Sequence, residues 1–114
     1  MAQVESRLQK AVRLDPKLAS GYLQLGILYS DRQDFPKAIS AYQEAIAANP
    51  QLEQAHYRLA QIYMRTGEKL KAQQELQLSE QISKKTEEEA ERERREIQQF
   101  VYTLRDRTSA SQPQ

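Results

Sequence analysis

The sequence meets itself when it is displaced by 34 residues. Under that shift Tyr22, Leu25, Gly26 and Tyr29 fall on His56, Leu59, Ala60 and Tyr63, while Ala38, Tyr42 and Ala45 fall on Ala72, Leu76 and Ser79. The match also runs backwards: Leu8, Ala11 and Asp15-Pro16 fall on Tyr42, Ala45 and Asn49-Pro50. A fixed period of this size implies one helical hairpin stacked on copies of itself, since a lone hairpin cannot bury its own apolar face. Such stacks present surface to partners and seldom carry out chemistry.

Apolar spacing and breakers divide the chain into elements. Val4, Leu8, Ala11 and Val12 recur at helical spacing and predict a helix over 3–14, ended by Asp15-Pro16. A second helix is expected over 18–31, with Gly26 inside it, where glycine costs roughly 1 kcal/mol relative to alanine unless a neighbouring helix needs the room. Asp34 is an N-cap for a third helix over 35–48, Pro36 fits its first turn, and Asn49-Pro50 stops it. A fourth helix over 53–66 ends at Gly67, a left-handed cap, and a fifth runs over 69–82. From Ser83 to Glu96 the only apolar residue is Ala90. Thr86 followed by Glu87, Glu88 and Glu89 fits a capping box, and Ile97, Phe100, Val101 and Leu104 restore an apolar face. These features predict a sixth helix over 87–105, with 83–86 either a bend or a continuation, and a disordered tail at 108–114.

At these residues the chain resembles the tetratricopeptide repeat family. Residues 19–52 carry Tyr22, Leu25-Gly26, Tyr29, Ala38, Tyr42, Ala45 and Pro50 at the family's offsets. Residues 53–86 carry Leu59-Ala60, Tyr63, Gly67 and Ala72, and depart from the pattern at His56, Leu76, Ser79 and Lys84. The resemblance implies an all-α superhelix of antiparallel hairpins. It divides as a half repeat at 3–18, repeats at 19–52 and 53–86, and a charged capping helix at 87–107, all within one domain spanning 3–107. Opening on the second helix of a hairpin implies either a section of a longer array, the favoured reading, or a second molecule over the gap.

Composition excludes several jobs. The 114 residues carry 17 basic and 16 acidic side chains, a net charge of +1, which gives no electrostatic surplus for nucleic acid. No cysteine is present for a disulfide or a thiolate metal site. No apolar stretch approaches the roughly 20 residues of a membrane span. No leader is visible, and the compartment stays unknown, cytoplasmic only by default. No serine–histidine–acid set, phosphate loop or metal-ligand cluster stands at useful spacing, so neither catalysis nor a cofactor is expected. His56, the only histidine, falls on an aromatic packing position. The alternating Glu and Arg residues of 87–96 and the stripe Arg7, Lys10, Arg13 and Lys17 read as solvated faces.

The candidate binding surface is the inward face of the two first helices. The resemblance maps that face to Ser20, Leu23, Ile27, Ser30 and Asp31, then to Gln54, Tyr57, Arg58, Gln61, Met64 and Arg65. Leu23, Ile27, Tyr57 and Met64 would anchor a protein or peptide partner, Arg58, Gln61 and Arg65 would orient it, and Ser30 is a further partner-binding candidate. Alternatively, Leu23 and Ile27 pack on a neighbouring first helix. Members of the family that clamp acidic chaperone tails use lysine and asparagine where this chain has Leu23 and Ile27, which argues against that ligand. The expected function is a protein-interaction scaffold. The alternatives are a self-assembly module, possible as a homodimer, or a section of a longer array with no binding site of its own.

Overall fold

Two chemical devices, each used twice, end the first four helices. The computed structural model describes residues 2–15 and 17–111. Helices α1 (Ala2–Leu14) and α3 (Phe35–Ala48) are followed by Asx turns. The Asp15 carboxylate accepts the Lys17 N–H at 3.1 Å, and the Asn49 side-chain oxygen accepts the Gln51 N–H at 3.1 Å. Helices α2 (Ala19–Asp31) and α4 (Glu53–Arg65) end instead on a left-handed residue, Gln33 at φ 59° and Gly67 at φ 82°. Beyond each, a backbone N–H folds back on the last turn: Asp34 to the Tyr29 carbonyl at 2.9 Å, and Glu68 to the Tyr63 carbonyl at 2.8 Å. Asp34 then caps α3, its carboxylate accepting the Lys37 N–H at 3.5 Å, with Pro36 in the first turn.

The final helix, α5, runs unbroken from Lys69 to Ser111. The separate helices expected over 69–82 and 87–105 are therefore one, and Thr86 lies inside it rather than at an N-cap. The reason is legible at the repeat register. Where the preceding copy has Asn49-Pro50, this one has Ser83-Lys84, followed by Lys85. No proline removes an N–H there, no Asx side chain competes for the backbone, and lysine and glutamate favour helix. Residues 108–111, expected in a disordered tail, belong to the helix, and 112–114 lie outside the described residues.

The chain divides into two compact units, Met1–Ile82 and Ser83–Gln114. In the first, consecutive helices run antiparallel, as their cross-contacts show. Glu5 of α1 meets Arg32 just after α2, and His56 of α4 meets Glu75 of α5. The core is built on the repeat's small positions: Ala38, Ala45, Ala55 and Ala72 have no exposed surface, and Tyr42 and Leu59 fill the space between them. Gly26 is small by necessity, because a Cβ there would lie 2.4 Å from Tyr42 Cε1.

The repeat extends to individual contacts. Gln9 Nε2 donates to the Tyr29 hydroxyl at 3.2 Å, and Gln43 Nε2 to the Tyr63 hydroxyl at 3.2 Å. Lys37 lies 5.6 Å from the Tyr29 ring centre, and Lys71 lies 5.6 Å from that of Tyr63. Between α1 and α2, Arg32 pairs with Glu5 at 2.6 Å and the Tyr29 hydroxyl donates to the same carboxylate at 3.2 Å. The Arg32 hydrogen bond is the main reason the Glu5 carboxyl is held below its ordinary range; desolvation opposes it, and Tyr29 and Lys37 assist.

The second unit is the remainder of α5. From Lys84 to Thr108 every side chain is exposed except Ala90, which is half-buried. Arg94 pairs with Glu91 one turn back at 3.4 Å. The side chains of Ile97, Phe100, Val101 and Leu104 all remain open to solvent.

Candidate functional site

The end of α2, the turn into α3 and the last two turns of α4 enclose a cleft of about 580 Å³. Arg58, Gln61, Ile62 and Arg65 come from α4, where spacings of three and four place them on one side of the helix. Ser30 and Asp31 come from the last turn of α2, and Gln33 and Phe35 from the turn beyond it. Tyr42 also lines the cleft while remaining buried, its hydroxyl 3.1 Å from Ser30 Oγ. Met64 contributes a flexible apolar group that is 56% exposed.

Charge and hydrogen bonding give the cleft a character. Two guanidinium groups, Arg58 and Arg65, face one carboxylate, Asp31. Arg58 is half-buried, and its Nε is fully buried with no hydrogen-bond acceptor among the described residues. Leaving such a donor unsatisfied costs about 1–3 kcal/mol, and more for a charged group. The arrangement suits an anionic or carbonyl oxygen beside an apolar side chain.

Of the residues expected on this surface, Ser30, Asp31, Arg58, Gln61, Met64 and Arg65 are brought together in the cleft. Tyr57 is not part of its lining, but Tyr57, Gln61 and Met64 are all exposed and stand at i, i+4 and i+7 of α4, so they form one row. Ser20 and Gln54 are exposed away from the cleft. Leu23 is a correction: expected as an anchor, it is 5% exposed and part of the core. Ile27 is half-buried and packs on the same core. Leu23 closes the interior of α2 and has almost no surface left for a partner, whereas Ile27 keeps part of its side chain open. Sequence reasoning missed Gln33, Phe35, Tyr42 and Ile62. Phe35 had a signal, since an aromatic stands where the next copy has Lys69 and the repeat pattern asks for none. Tyr42 had none, because a residue claimed by packing gave no reason to reach a surface.

His56 is buried as expected and does more than fill space. Its Nδ1 is 2.6 Å from Glu75 and its Nε2 is 2.9 Å from the Pro50 carbonyl, tying α4 both to α5 and to the turn that follows α3. Among the described residues there is no metal-binding cluster of His, Asp or Glu and no helix long and apolar enough to cross a membrane.

The repeated caps, the buried small residues and the Gln–Tyr contacts describe the same unit that sequence comparison finds. A family profile described as TPR repeat matches residues 28–67, and one described as Tetratricopeptide repeat matches residues 53–86. The chain belongs to the tetratricopeptide repeat family. No curated protein matches it in sequence. Solved structures resemble it: a crystal structure of MamA has a TM-score of 0.72 at 25% identity, covering 74% of this chain and 49% of MamA. A second MamA crystal structure has a TM-score of 0.67 at 25% identity, over 74% of this chain and 46% of that one. A MamA RS-1 ArsTM double mutant has a TM-score of 0.67 at 23% identity, over 69% and 44%, a likeness of fold alone. This tetratricopeptide repeat chain thus spans less than half the length of each of these MamA chains. The repeat family supports a protein-interaction scaffold as its general role.

Proposed function

We propose that the cleft between α2, the turn into α3, and α4 is where this scaffold holds a segment of a protein partner. The observation that carries the reading is that the half-buried Arg58 and the exposed Arg65 line one wall of a cleft that also exposes Met64. The partner segment lies along the row Tyr57, Gln61 and Met64. It places an apolar side chain against Met64 and Phe35, and an acceptor oxygen, from a carboxylate or a backbone carbonyl, on Arg58. Arg65 gives that oxygen a second donor, and the Asp31 carboxylate selects against a second acidic group beside it. Removing a polar partner from a desolvated charge typically costs 2–5 kcal/mol in binding, so Arg58 is the residue on which affinity turns.

The test uses peptides selected from a random display library on the immobilised chain, with affinities measured by fluorescence anisotropy. Arg58→Met keeps the side chain's apolar reach and removes its donors, and should weaken the selected peptides at least about tenfold, or 1.4 kcal/mol. Met64→Ala should weaken them by a smaller factor. Peptides that bind the native chain and Arg58→Met equally well would place recognition elsewhere and overturn the reading.

A further inference from the structure

The second unit carries a surface that the cleft reading does not use. Between Ala90 and Thr108, the residues Ala90, Arg94, Ile97, Val101, Leu104 and Thr108 follow alternating spacings of four and three. That is the seam of a two-helix pair: positions spaced in this way stay on one side of a helix and face a partner helix along its length. Ile97, Val101 and Leu104 are exposed on a single helix that offers no second element to cover them. The flanks of the seam are sorted by charge: Glu91 and Glu93 lie toward its start, Arg105 and Arg107 toward its end, and Gln98 and Phe100 between them.

We infer that this segment pairs antiparallel with the same segment of a second copy of the chain. In an antiparallel pair each flank meets the equivalent flank of its partner run in reverse. With Ile97 of one copy level with Val101 of the other, Glu91 falls opposite Arg105 and Glu93 opposite Arg107. The two-fold axis repeats both ion pairs and brings the two Phe100 rings together. Leu104 is then level with Arg94, whose guanidinium already leans back to Glu91 in the same chain at 3.4 Å. A parallel pair fits worse on every count. It sets Arg94 against Arg94 in the seam, Glu93 against Gln98, and Phe100 against Arg105, so no opposite charges meet. A seam of this length, about 27 Å at 1.5 Å per residue, is short, so the dimer is one that dissociates on dilution.

Sedimentation velocity across about a hundredfold range of concentration tests this. The native chain should move from 13.2 kDa toward twice that mass as concentration rises. The double reversal Glu91→Arg with Glu93→Arg sets like charges opposite one another and should raise the dissociation constant at least about tenfold, and Arg105→Glu with Arg107→Glu should do the same. Mixed in equal amounts, the two reversed chains should recover the native dimer's stability as a heterodimer. Circular dichroism of each variant checks that the helix is retained. A native chain that stays at 13.2 kDa throughout overturns the inference, as do reversed variants that associate like the native chain or a mixture that fails to recover pairing.

Discussion

Replacing Gly26 with alanine puts a methyl group in place of a hydrogen in the middle of a helix, a change that ordinarily stabilises by about 1 kcal/mol. Here the opposite is expected. The new Cβ would lie 2.4 Å from Tyr42 Cε1 and 2.5 Å from Cδ1, an ångström inside ordinary contact. Tyr42 cannot swing aside: it is 1% exposed, and its hydroxyl is held at 3.1 Å by Ser30. Overpacking of this kind costs about 1–3 kcal/mol. Given how close the approach is, the upper part of that range applies, and subtracting the gain in helix propensity leaves a net loss of about 1–2 kcal/mol. For a unit of this size each kcal/mol moves the melting temperature by about 4–8 °C. The next repeat supplies the control, since it has Ala60 where this one has Gly26, and Leu76 where this one has Tyr42. In a Tyr42→Leu background, Gly26→Ala should therefore become neutral or stabilising. The four proteins form a double-mutant cycle, read by urea denaturation followed by circular dichroism, with a coupling of about 1–3 kcal/mol in favour of the double variant. An alanine at 26 that stabilises the native chain, or costs the same in both backgrounds, would refute the idea that ring and glycine were chosen for one another.

Two further substitutions probe the turns and the charges. Gln33 holds a left-handed backbone at φ 59° where the next repeat uses Gly67. Relieving roughly 1–2 kcal/mol of left-handed strain, against about 0.5–1 kcal/mol of added glycine flexibility, should make Gln33→Gly more stable by about 0.5–1 kcal/mol; a loss of stability on thermal denaturation would refute this. Because folding lowers the Glu5 carboxyl below its unfolded value of 4.5, the stability it adds is present above that value and is lost as the pH falls through the lower folded value. Glu5→Gln should accordingly show a flatter fall in unfolding free energy on acidification below pH 4.5 than the native chain, and identical pH profiles would count against the Arg32 clasp.

The first four helices, the ends of α1, α3 and α4, and the small core positions of residues 3–82 were legible because each rests on a local residue whose chemistry admits one use. Asp15, Asn49 and Gly67 are of this kind, and their places repeat. The continuity of α5 was legible too, but only by comparing Ser83-Lys84 with Asn49-Pro50. Thr86 and its three glutamates satisfy an N-cap pattern equally well in the middle of a helix, where the backbone N–H groups already have partners. Leu23 could not be placed from sequence, because an apolar residue on the inward face of a first helix reads the same whether a partner or the core covers it. The cleft was half legible: the α4 residues share a helical face that spacing reveals, whereas Gln33 and Phe35 arrive through a turn whose path depends on a left-handed residue that is not glycine.

Where a partner lands on this chain decides whether the cleft is its binding site. The direct measurement is an amide and methyl NMR titration of the native chain with one of the selected peptides, following the Met64 methyl group and the Arg58 side-chain N–H. Shifts concentrated at Ser30–Phe35 and Arg58–Arg65, with the Arg58 guanidinium resonances moving as that group gains an acceptor, are the expected result. Saturable shifts confined to α1 or to residues 84–108, with the cleft silent, would contradict it.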